Sequence, residues 1–188
     1  MTEDRRRRAE GVIFFALFAL TIPLANWMIG HVGTTCVPDG PCLIPVGPFG
    51  LAAPSGVLMI GLALVLRDLV QRRLGVAAAL VAIAAGAAMS AFLAPPAVVL
   101  ASSAAFLLSE LADLAVYTPL QRRGFVLAVA LSSLVGLAVD SAVFLSIAFG
   151  NLDFLTGQIV GKAWMVLLAI PFVQWLRRRD ERLGLAPA

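Results

Sequence analysis

QRRGFVLAVALSSLVGLAVDSAVFLSIAFG, residues 121–150, is the stretch that decides the fold. After its two arginines, residues 124–149 contain a single charged side chain, Asp140. About 20 apolar residues are enough to cross a membrane as a helix, whereas a surface helix of a soluble protein needs a polar face. The stretch therefore predicts a membrane-spanning helix that starts beside basic residues and holds one carboxylate in its interior.

The arginines of the chain are grouped in the same way. Lys and Arg that flank membrane spans stay on the cytoplasmic side, because moving them across the bilayer is costly. If every group is cytoplasmic, an even number of spans separates each group from the next. The thirteen arginines are Arg5–Arg8, Arg67 with Arg72 and Arg73, Arg122 with Arg123, and Arg177–Arg179 with Arg182.

Six spans satisfy this rule, and both termini are then cytoplasmic while a Gly- and Pro-rich loop at 31–50 faces outward. Pro54 is expected in the first turn of the second span, and the fourth is expected to stop before Pro119. The first span follows basic residues as a signal peptide would, but it is long enough to be retained. We expect one all-α transmembrane domain over residues 1–188. Its spans are about 12–30, 54–71, 74–94, 97–117, 124–149 and 156–176.

Composition agrees with an integral membrane protein. The chain is 61% hydrophobic and 13% charged, about half the charged share of a typical soluble domain. The net charge of +3 favours contact with anionic lipid head groups. No basic face is interleaved with aromatic residues, so we expect no direct nucleic-acid binding. Nothing in the sequence requires a cofactor.

Polar residues inside the spans are the candidates for function, because an ionisable group in hydrocarbon is costly. At 1.5 Å per residue, Asp140 and Lys162 lie at about 24 and 22 Å from the cytoplasmic face. Asn26 lies at a similar or slightly greater depth. The three residues could meet in the outer half of the bundle. They could form a substrate pocket, or Asp140 and Lys162 could be a structural ion pair, and the two interpretations are compatible.

Glu110 and Asp113 are three residues apart and therefore share one face of a helix. Two such close carboxylates resist simultaneous ionisation, which suits proton coupling or hydrogen bonding to an amino-purine edge. Asp113 could instead pair with a cytoplasmic arginine. Arg67 and Asp68 lie nearer the inner surface, where Asp68 and Arg72 could form a helix-end salt bridge. Gating or coupling is the functional alternative for Arg67 and Asp68.

The outward loop holds both cysteines, Cys36 and Cys42. A disulfide is permitted outside the bacterial cytoplasm, and it would staple the loop. Two thiols and His31 leave a zinc ligand set short, so we expect no metal site. His31 is the only histidine, and the spans contain no Ser–His or metal-ligand set. We therefore expect no catalytic residues and no enzyme.

Four segments carry a resemblance to a known family. They are RDLVQRRLG at 67–75, SELADLAVY at 109–117, SSLVGLAVDS at 132–141, and Gly161-Lys162. Their order and spacing resemble the queuosine-precursor transporter family, also called VUT for vitamin-uptake-transporter-like. The resemblance covers most of the chain, from Asn26 through the sixth span.

The resemblance implies six helices arranged like the substrate-binding component of energy-coupling-factor importers. It also implies import of 7-deazaguanine compounds (7-cyano-7-deazaguanine, 7-aminomethyl-7-deazaguanine or queuine) for tRNA modification, across the inner membrane of a bacterium. The partners would be this deazapurine base and membrane lipids, and a homodimer is compatible. The expected substrate-binding residues are Asp140, Lys162, Glu110, Asp113 and Asn26.

Two other functions stay open from the sequence. The chain could be the vitamin-binding subunit of an ATP-driven energy-coupling-factor importer. Such subunits usually dock through Ala-x-x-x-Ala on the first helix, and residues 12–30 contain no such pair. A small structural membrane protein without a ligand is the other alternative.

Overall fold

The chain folds as an antiparallel bundle of helices with a small sheet at one end. The structure, a computed structural model, describes residues 3–38, 40–48, 50–94 and 96–184. Within these ranges it contains six α-helices and three short strands. The elements are α1 (Glu3–His31), β1 (Thr35–Cys36), β2 (Cys42–Pro45), β3 (Ala52–Pro54), α2 (Val57–Leu74), α3 (Val76–Leu93), a 3-10 turn (Pro96–Val98), α4 (Val99–Leu120), α5 (Phe125–Phe149) and α6 (Leu155–Leu183).

Helix α2 occupies the centre of the bundle and contacts each of the other five helices. Thirteen of its 18 residues are buried, whereas α3, of equal length, buries five. The other five helices surround α2 in the order α1, α3, α4, α5 and α6. The ring closes between α6 and α1, where Phe14 packs edge-on against Phe172 at 6.5 Å between ring centroids. The apolar side chains of the outer helices thus surround a helix that carries charges.

The first two strands of the sheet lie in the segment 31–50 that the sequence predicts as a loop, and β3 follows just after it. The strands run antiparallel in the order β1-β2-β3, and Cys36 is paired with Cys42 in the register. The same two residues form a disulfide. The strands are two to four residues long, too short for an alternating pattern to identify them. We call this end of the bundle the sheet end. The opposite end, with Arg5–Arg8, Arg72–Arg73, Arg122–Arg123 and Arg177–Arg179, is the arginine end.

Side chains of the bundle tie the sheet to α1 and α6. Ser55 Oγ, just after β3, donates to the Met28 carbonyl on α1 at 2.7 Å. Trp164 Nε1 on α6 donates to the Val46 carbonyl at 2.7 Å. A Cβ atom at Gly157 would overlap the carbonyl oxygen of Ala52, so the start of α6 packs directly on β3. The sheet is therefore anchored on two helices as well as by its own disulfide.

The first and sixth helices extend beyond their predicted spans. α1 starts at Glu3 rather than near residue 12, and α6 ends at Leu183 rather than near residue 176. The added residues are mostly Arg, Glu and Asp. Hydropathy measures only the apolar part of a helix, whereas Arg and Glu are good helix formers, so both helices continue into their charged ends.

Two predictions based on proline were wrong. Pro54 does not open α2 but ends β3, and α2 begins three residues later at Val57. Pro119 does not stop α4, which continues to Leu120. A proline clashes with the turn before it and removes one backbone donor. Because Pro119 is the penultimate residue of α4, the backbone hydrogen bond that it cannot donate lies in the last turn.

The all-helical prediction is confirmed, and five helices are long and apolar enough to cross a membrane: α1, α3, α4, α5 and α6. α2 is not among them because it carries Arg67, Asp68, Arg72 and Arg73. All four are buried against neighbouring helices, so a central position explains why α2 is less apolar. The six-span count and the orientation of the termini stay predictions.

Glycines allow the closest helix contacts. A Cβ atom at Gly61 of α2 would overlap the Lys162 carbonyl oxygen of α6. One at Gly136 of α5 would lie 2.7 Å from Leu64 Cδ2 and 3.1 Å from Asp113 Cβ. α2 and α3 are joined by Gly75 alone, whose φ of 87° favours glycine. The first two contacts are beside charged residues of the core.

Replacement of Gly61 should separate α2 from α6. For Gly61→Ala we expect the free energy of unfolding to fall by about 1–3 kcal/mol, the usual cost of overpacking. Thermal unfolding of the detergent-solubilised protein measures this effect. Gly30→Ala is the control, because a Cβ there meets nothing within 4 Å. Equal midpoints for both variants would show that the α2–α6 crossing has room to adjust.

Membrane-impermeant maleimide tests the orientation. The native cysteines are joined to each other, so an introduced cysteine is the reactive thiol. Asp153→Cys, exposed between α5 and α6, should be labelled in intact cells. Arg122→Cys, exposed between α4 and α5, should be labelled only after the cells are opened, since arginine-flanked ends are retained inside. The reverse pattern would invert the topology.

Candidate functional site

The centre of the polar interior is the Arg67 guanidinium on α2. Its Nε donates to Glu110 at 3.2 Å and its Nη1 to Gln71 at 3.0 Å. Its Nη2 donates to Asp113 and lies 2.9 Å from Asp68 Oδ1. A planar guanidinium has five N–H donors in a fixed fork, so one side chain can hold partners from two helices. We call Arg67, Asp68, Glu110 and Asp113 the arginine-centred group.

The arginine-centred group is sealed from solvent. Arg67, Asp68 and Asp113 are each 0% exposed, and Glu110 is 2% exposed. Ser132 Oγ on α5 donates to Asp68 at 2.9 Å, which links the group to a third helix. Removing charges from water costs several kcal/mol each. Such a group persists only because each member has a charged or hydrogen-bonding partner.

A second charged group lies towards the sheet end, between α5 and α6. Lys162 Nζ donates to Asp140 at 2.6 Å, to Ser141 at 2.7 Å and to Gln158 at 3.0 Å. An ammonium has three donors, and each is used here. The structure thus places Asp140 and Lys162 in contact, at the matching depths that the helix rise predicts. We call these four residues the lysine-centred group.

The two groups are neighbours within the bundle. The α5 backbone carries Asp140 and, one turn earlier, Gly136, against which Asp113 packs. α5 also contributes Ser132 to the arginine-centred group. Both groups are therefore in contact with the same helix, about one to two turns apart along it.

A third group, at the arginine end, was not predicted from the sequence. Asp180 of α6 accepts from Arg72 at 2.9 Å and from Arg73 at 2.7 Å. Arg73 also donates to Glu10 of α1 at 2.9 Å, and Glu10 accepts a second bond from Arg179. The Arg72 guanidinium lies 4.0 Å from the centre of the Phe125 ring. These contacts join α1, α2 and α6 where the apolar spans end.

The third group corrects the expected partner of Asp68. The sequence suggests a salt bridge between Asp68 and Arg72, four residues apart. Instead Arg72 binds Asp180, whereas Asp68 contacts Arg67 and Ser132. Of the two interpretations of Asp113, the structure shows the pairing with an arginine, and that arginine is Arg67. Arg67 does not lie at the helix end with Arg72 but is buried, one turn deeper.

Asn26 lies apart from these contacts. Its side-chain amide donates to the Ile22 carbonyl of its own helix at 3.0 Å and is partly buried. Two grooves on the described surface also lie elsewhere. One of about 390 Å³ between α1 and α3 is apolar, and one of about 670 Å³ follows the charged end of α6. In this conformation the buried polar groups are thus packed against one another.

The described residues contain no group of three or more His, Cys, Asp or Glu side chains arranged to hold a metal ion. The carboxylates of the arginine-centred group face a guanidinium instead. Cys36 and Cys42 are bonded to each other, which leaves no thiolate for a ligand there.

Apolar helices of spanning length around buried, paired charges define a multi-pass membrane protein with a polar interior. Intramembrane charges that face the bundle are typical of substrate and ion pathways. The family described as "putative vitamin uptake transporter" has a model that matches residues 90–176 of this chain. The predicted resemblance is thereby confirmed over these residues, and the match supports a membrane transporter. No curated protein and no solved structure matches the chain.

The matched region contains the carboxyl residues that α4 and α5 contribute to the arginine-centred and lysine-centred groups. It includes Glu110, Asp113, Asp140 and Lys162, whereas Asn26, Arg67 and Asp68 lie outside it. The region that matches the transporter family therefore contains all four residues of the lysine-centred group.

Neutralising one partner of the Lys162–Asp140 pair should destabilise the fold. Asp140→Asn leaves a buried ammonium without its anion, and we expect a loss of about 3–5 kcal/mol in the free energy of unfolding. Lys162→Met leaves the anion unpaired and should cost a similar amount. The double variant should recover most of the loss, because it leaves no uncompensated charge.

Thermal unfolding in detergent measures all three variants beside Asp153→Asn, an exposed control. Additive losses in the double variant would show that the two charges act independently, contrary to their 2.6 Å contact.

Proposed function

We propose that this protein is a secondary transporter that imports queuosine precursors for tRNA modification across a bacterial inner membrane. Its substrates would be 7-deazaguanine compounds such as 7-cyano-7-deazaguanine, 7-aminomethyl-7-deazaguanine or queuine. One observation carries the proposal: a buried Asp140–Lys162 pair lies within the region that matches a transporter family. Four segments of the chain resemble queuosine-precursor transporters, and this resemblance supports 7-deazaguanine compounds as the class of substrate.

The lysine-centred group offers the chemistry that a deazaguanine needs. The base presents N–H donors along one edge, which a carboxylate such as Asp140 can accept in pairs. Its carbonyl and ring nitrogen need donors, which Lys162 and the Gln158 amide can supply. A site that bonds every polar edge rejects analogues strongly, because a missing partner leaves a buried group unpaired.

Substrate binding would exchange partners rather than create a new charged site. Asp140 and Lys162 satisfy each other in this structure, and separating them unpaired would be costly. A deazaguanine that inserts between them replaces both halves of the contact at once, as acceptor for Lys162 and donor for Asp140. The pair thus keeps the empty site stable until a ligand of matching polarity arrives.

The other proposed site residues have unequal support. Glu110 is on α4, which packs against α5 and its Asp140, and could accept from the same edge of the base. Asp113 is held by Arg67, so we place it with Arg67 and Asp68 in gating or coupling. Asn26 would have to leave its own helix's carbonyl before it could reach a substrate.

The family's printed description favours a second candidate. It names vitamin uptake, and vitamin-binding subunits of energy-coupling-factor importers work with a separate ATPase. Such a subunit would copurify with ATPase components and would be inactive without them. If this chain restores uptake without any ATPase component, the result would support secondary transport.

Uptake of labelled 7-cyano-7-deazaguanine in cells unable to make queuosine tests the main proposal. The wild-type chain should restore queuosine in tRNA, whereas Asp140→Asn and Lys162→Met should not, because each removes half of the proposed exchange. Asp153→Asn is the matched control and should behave as wild type.

Protein levels in the membrane must be equal across these variants, since the single substitutions also weaken the fold. Equal restoration by Asp140→Asn, Lys162→Met and wild type would refute the proposed site.

A further inference from the structure

The buried ionisable side chains of the described residues do not balance in charge. Each is at most 7% exposed, and four are basic whereas five are acidic. With every group ionised, the interior would hold one net negative charge, and an uncompensated buried charge is costly. One bound proton would remove the imbalance. The nine residues are Arg67, Arg72, Arg73, Lys162, Asp68, Glu110, Asp113, Asp140 and Asp180.

The excess negative charge is located at the arginine-centred group. Lys162 balances Asp140, and at the arginine end Asp180 is bound by two arginines. Arg67 alone faces three carboxyl groups, a local excess of two negative charges, of which the second arginine on Asp180 offsets one in the total. Its donors are already divided among Glu110, Gln71 and Asp113. The proton therefore belongs among Asp68, Glu110 and Asp113.

Asp68 and Asp113 are the two carboxyls best placed to share a proton. The single nitrogen Nη2 of Arg67 contacts an oxygen of each, so one donor holds both side chains together. Asp113 Oδ2 has no hydrogen-bond partner among the described residues, and Asp68 Oδ1 has only its 2.9 Å charge contact with Arg67 Nη2 and no hydrogen bond. A carboxylate is only an acceptor, whereas a protonated carboxyl also donates. A proton on either one would supply the donor that the other lacks.

A further unpaired polar group lies beside this contact. The Tyr117 ring centre is 5.7 Å from the Arg67 guanidinium carbon. Its hydroxyl is fully buried and has no hydrogen-bond partner within the described ranges. A hydroxyl can donate or accept, so it can follow a change in the protonation of its neighbours.

Every helix packed around Asp68 and Asp113 bears on their charge balance. α2 contributes Arg67 and Arg72, and α4 contributes Glu110 and Tyr117. α5 contributes Ser132 and Asp140, and Asp140 is neutralised by Lys162 of α6. α6 also contributes Asp180, which holds Arg72, and α1 contributes Glu10, which holds Arg73. α3 has no charged residue.

We propose that Asp68 and Asp113 share one proton in the arrangement described here and that this proton is the ion that drives import. The carboxyl pair gains the proton from one side of the membrane and releases it to the other, and no other bond forms or breaks. Carboxyl pairs that share a proton are known in other proteins, and intramembrane carboxyl chains serve as proton relays in transporters. The coupling half of the proposal rests on the proposed function, whereas the proton site does not.

Infrared spectroscopy of the purified full chain tests the proton site without a substrate. The wild type at neutral pH should show the carbonyl band of a buried protonated carboxyl group. Asp68→Asn and Asp113→Asn should each lose that band, whereas exposed Asp153→Asn should keep it. An amide has nearly the shape of a protonated carboxyl, so both variants should retain the fold, and their thermal unfolding verifies this. A wild type without the band, or a band that survives both substitutions, would overturn the proposal.

Reconstituted vesicles test the coupling. An inward proton gradient should drive accumulation of labelled 7-cyano-7-deazaguanine by the wild type, and a protonophore should abolish it. Asp68→Asn should lose gradient-driven accumulation but still exchange labelled for unlabelled base, because its neutral amide cannot release a proton. Accumulation that ignores the gradient would overturn the coupling. A chain that shows the infrared band but carries no deazaguanine would refute the proposed function and leave the proton site standing.

Discussion

The structure depends on enclosing a charged helix within apolar ones. α2 holds Arg67 and Asp68 where no solvent reaches them, and their charges must be matched by side chains from α4 and α5. This requirement sets the register of three helices at once, because a shift by one residue would move Glu110, Asp113 or Ser132 away from its partner. Buried ion pairs contribute little net stability. They do, however, make alternative packings of these otherwise uniform apolar helices unfavourable.

Close backbone contact lets short side chains meet. Gly61 brings α2 against the Lys162 backbone, and Gly136 brings α5 against Asp113. Larger residues there would separate the helices and lengthen the contacts on which the charges depend. In membranes, where apolar burial does not drive helix association, small residues and polar contacts provide it. Here both occur at the same crossings, so packing and charge pairing stabilise one arrangement.

Much of this could be predicted from the sequence, and the failures have physical causes. Matching depths predicted the contact of Asp140 with Lys162. The same rule applies to Arg67, Asp113 and Ser132, which all lie seven residues, about 10 Å, from the helix ends at Leu74, Leu120 and Phe125. Two assumptions hid this agreement. The clustering of arginines places Arg67 with those at the helix ends, and Pro119 predicts that α4 ends before it. The group around Asp180 could not be predicted, because Asp180 lies beyond the apolar part of α6.

The attachment of the small sheet to α6 has a consequence for access. Trp164 lies two residues from Lys162 and bonds to the segment after β2, while Gly157 packs on β3. A flap that moved alone would have to break these contacts and the one from Ser55 to α1. Any opening on that side instead carries the disulfide-closed sheet along with the helix that bears the ammonium. The sheet and the part of α6 that carries Lys162 would therefore move as one unit, so a substrate entering at the sheet end would displace the proposed binding group as well.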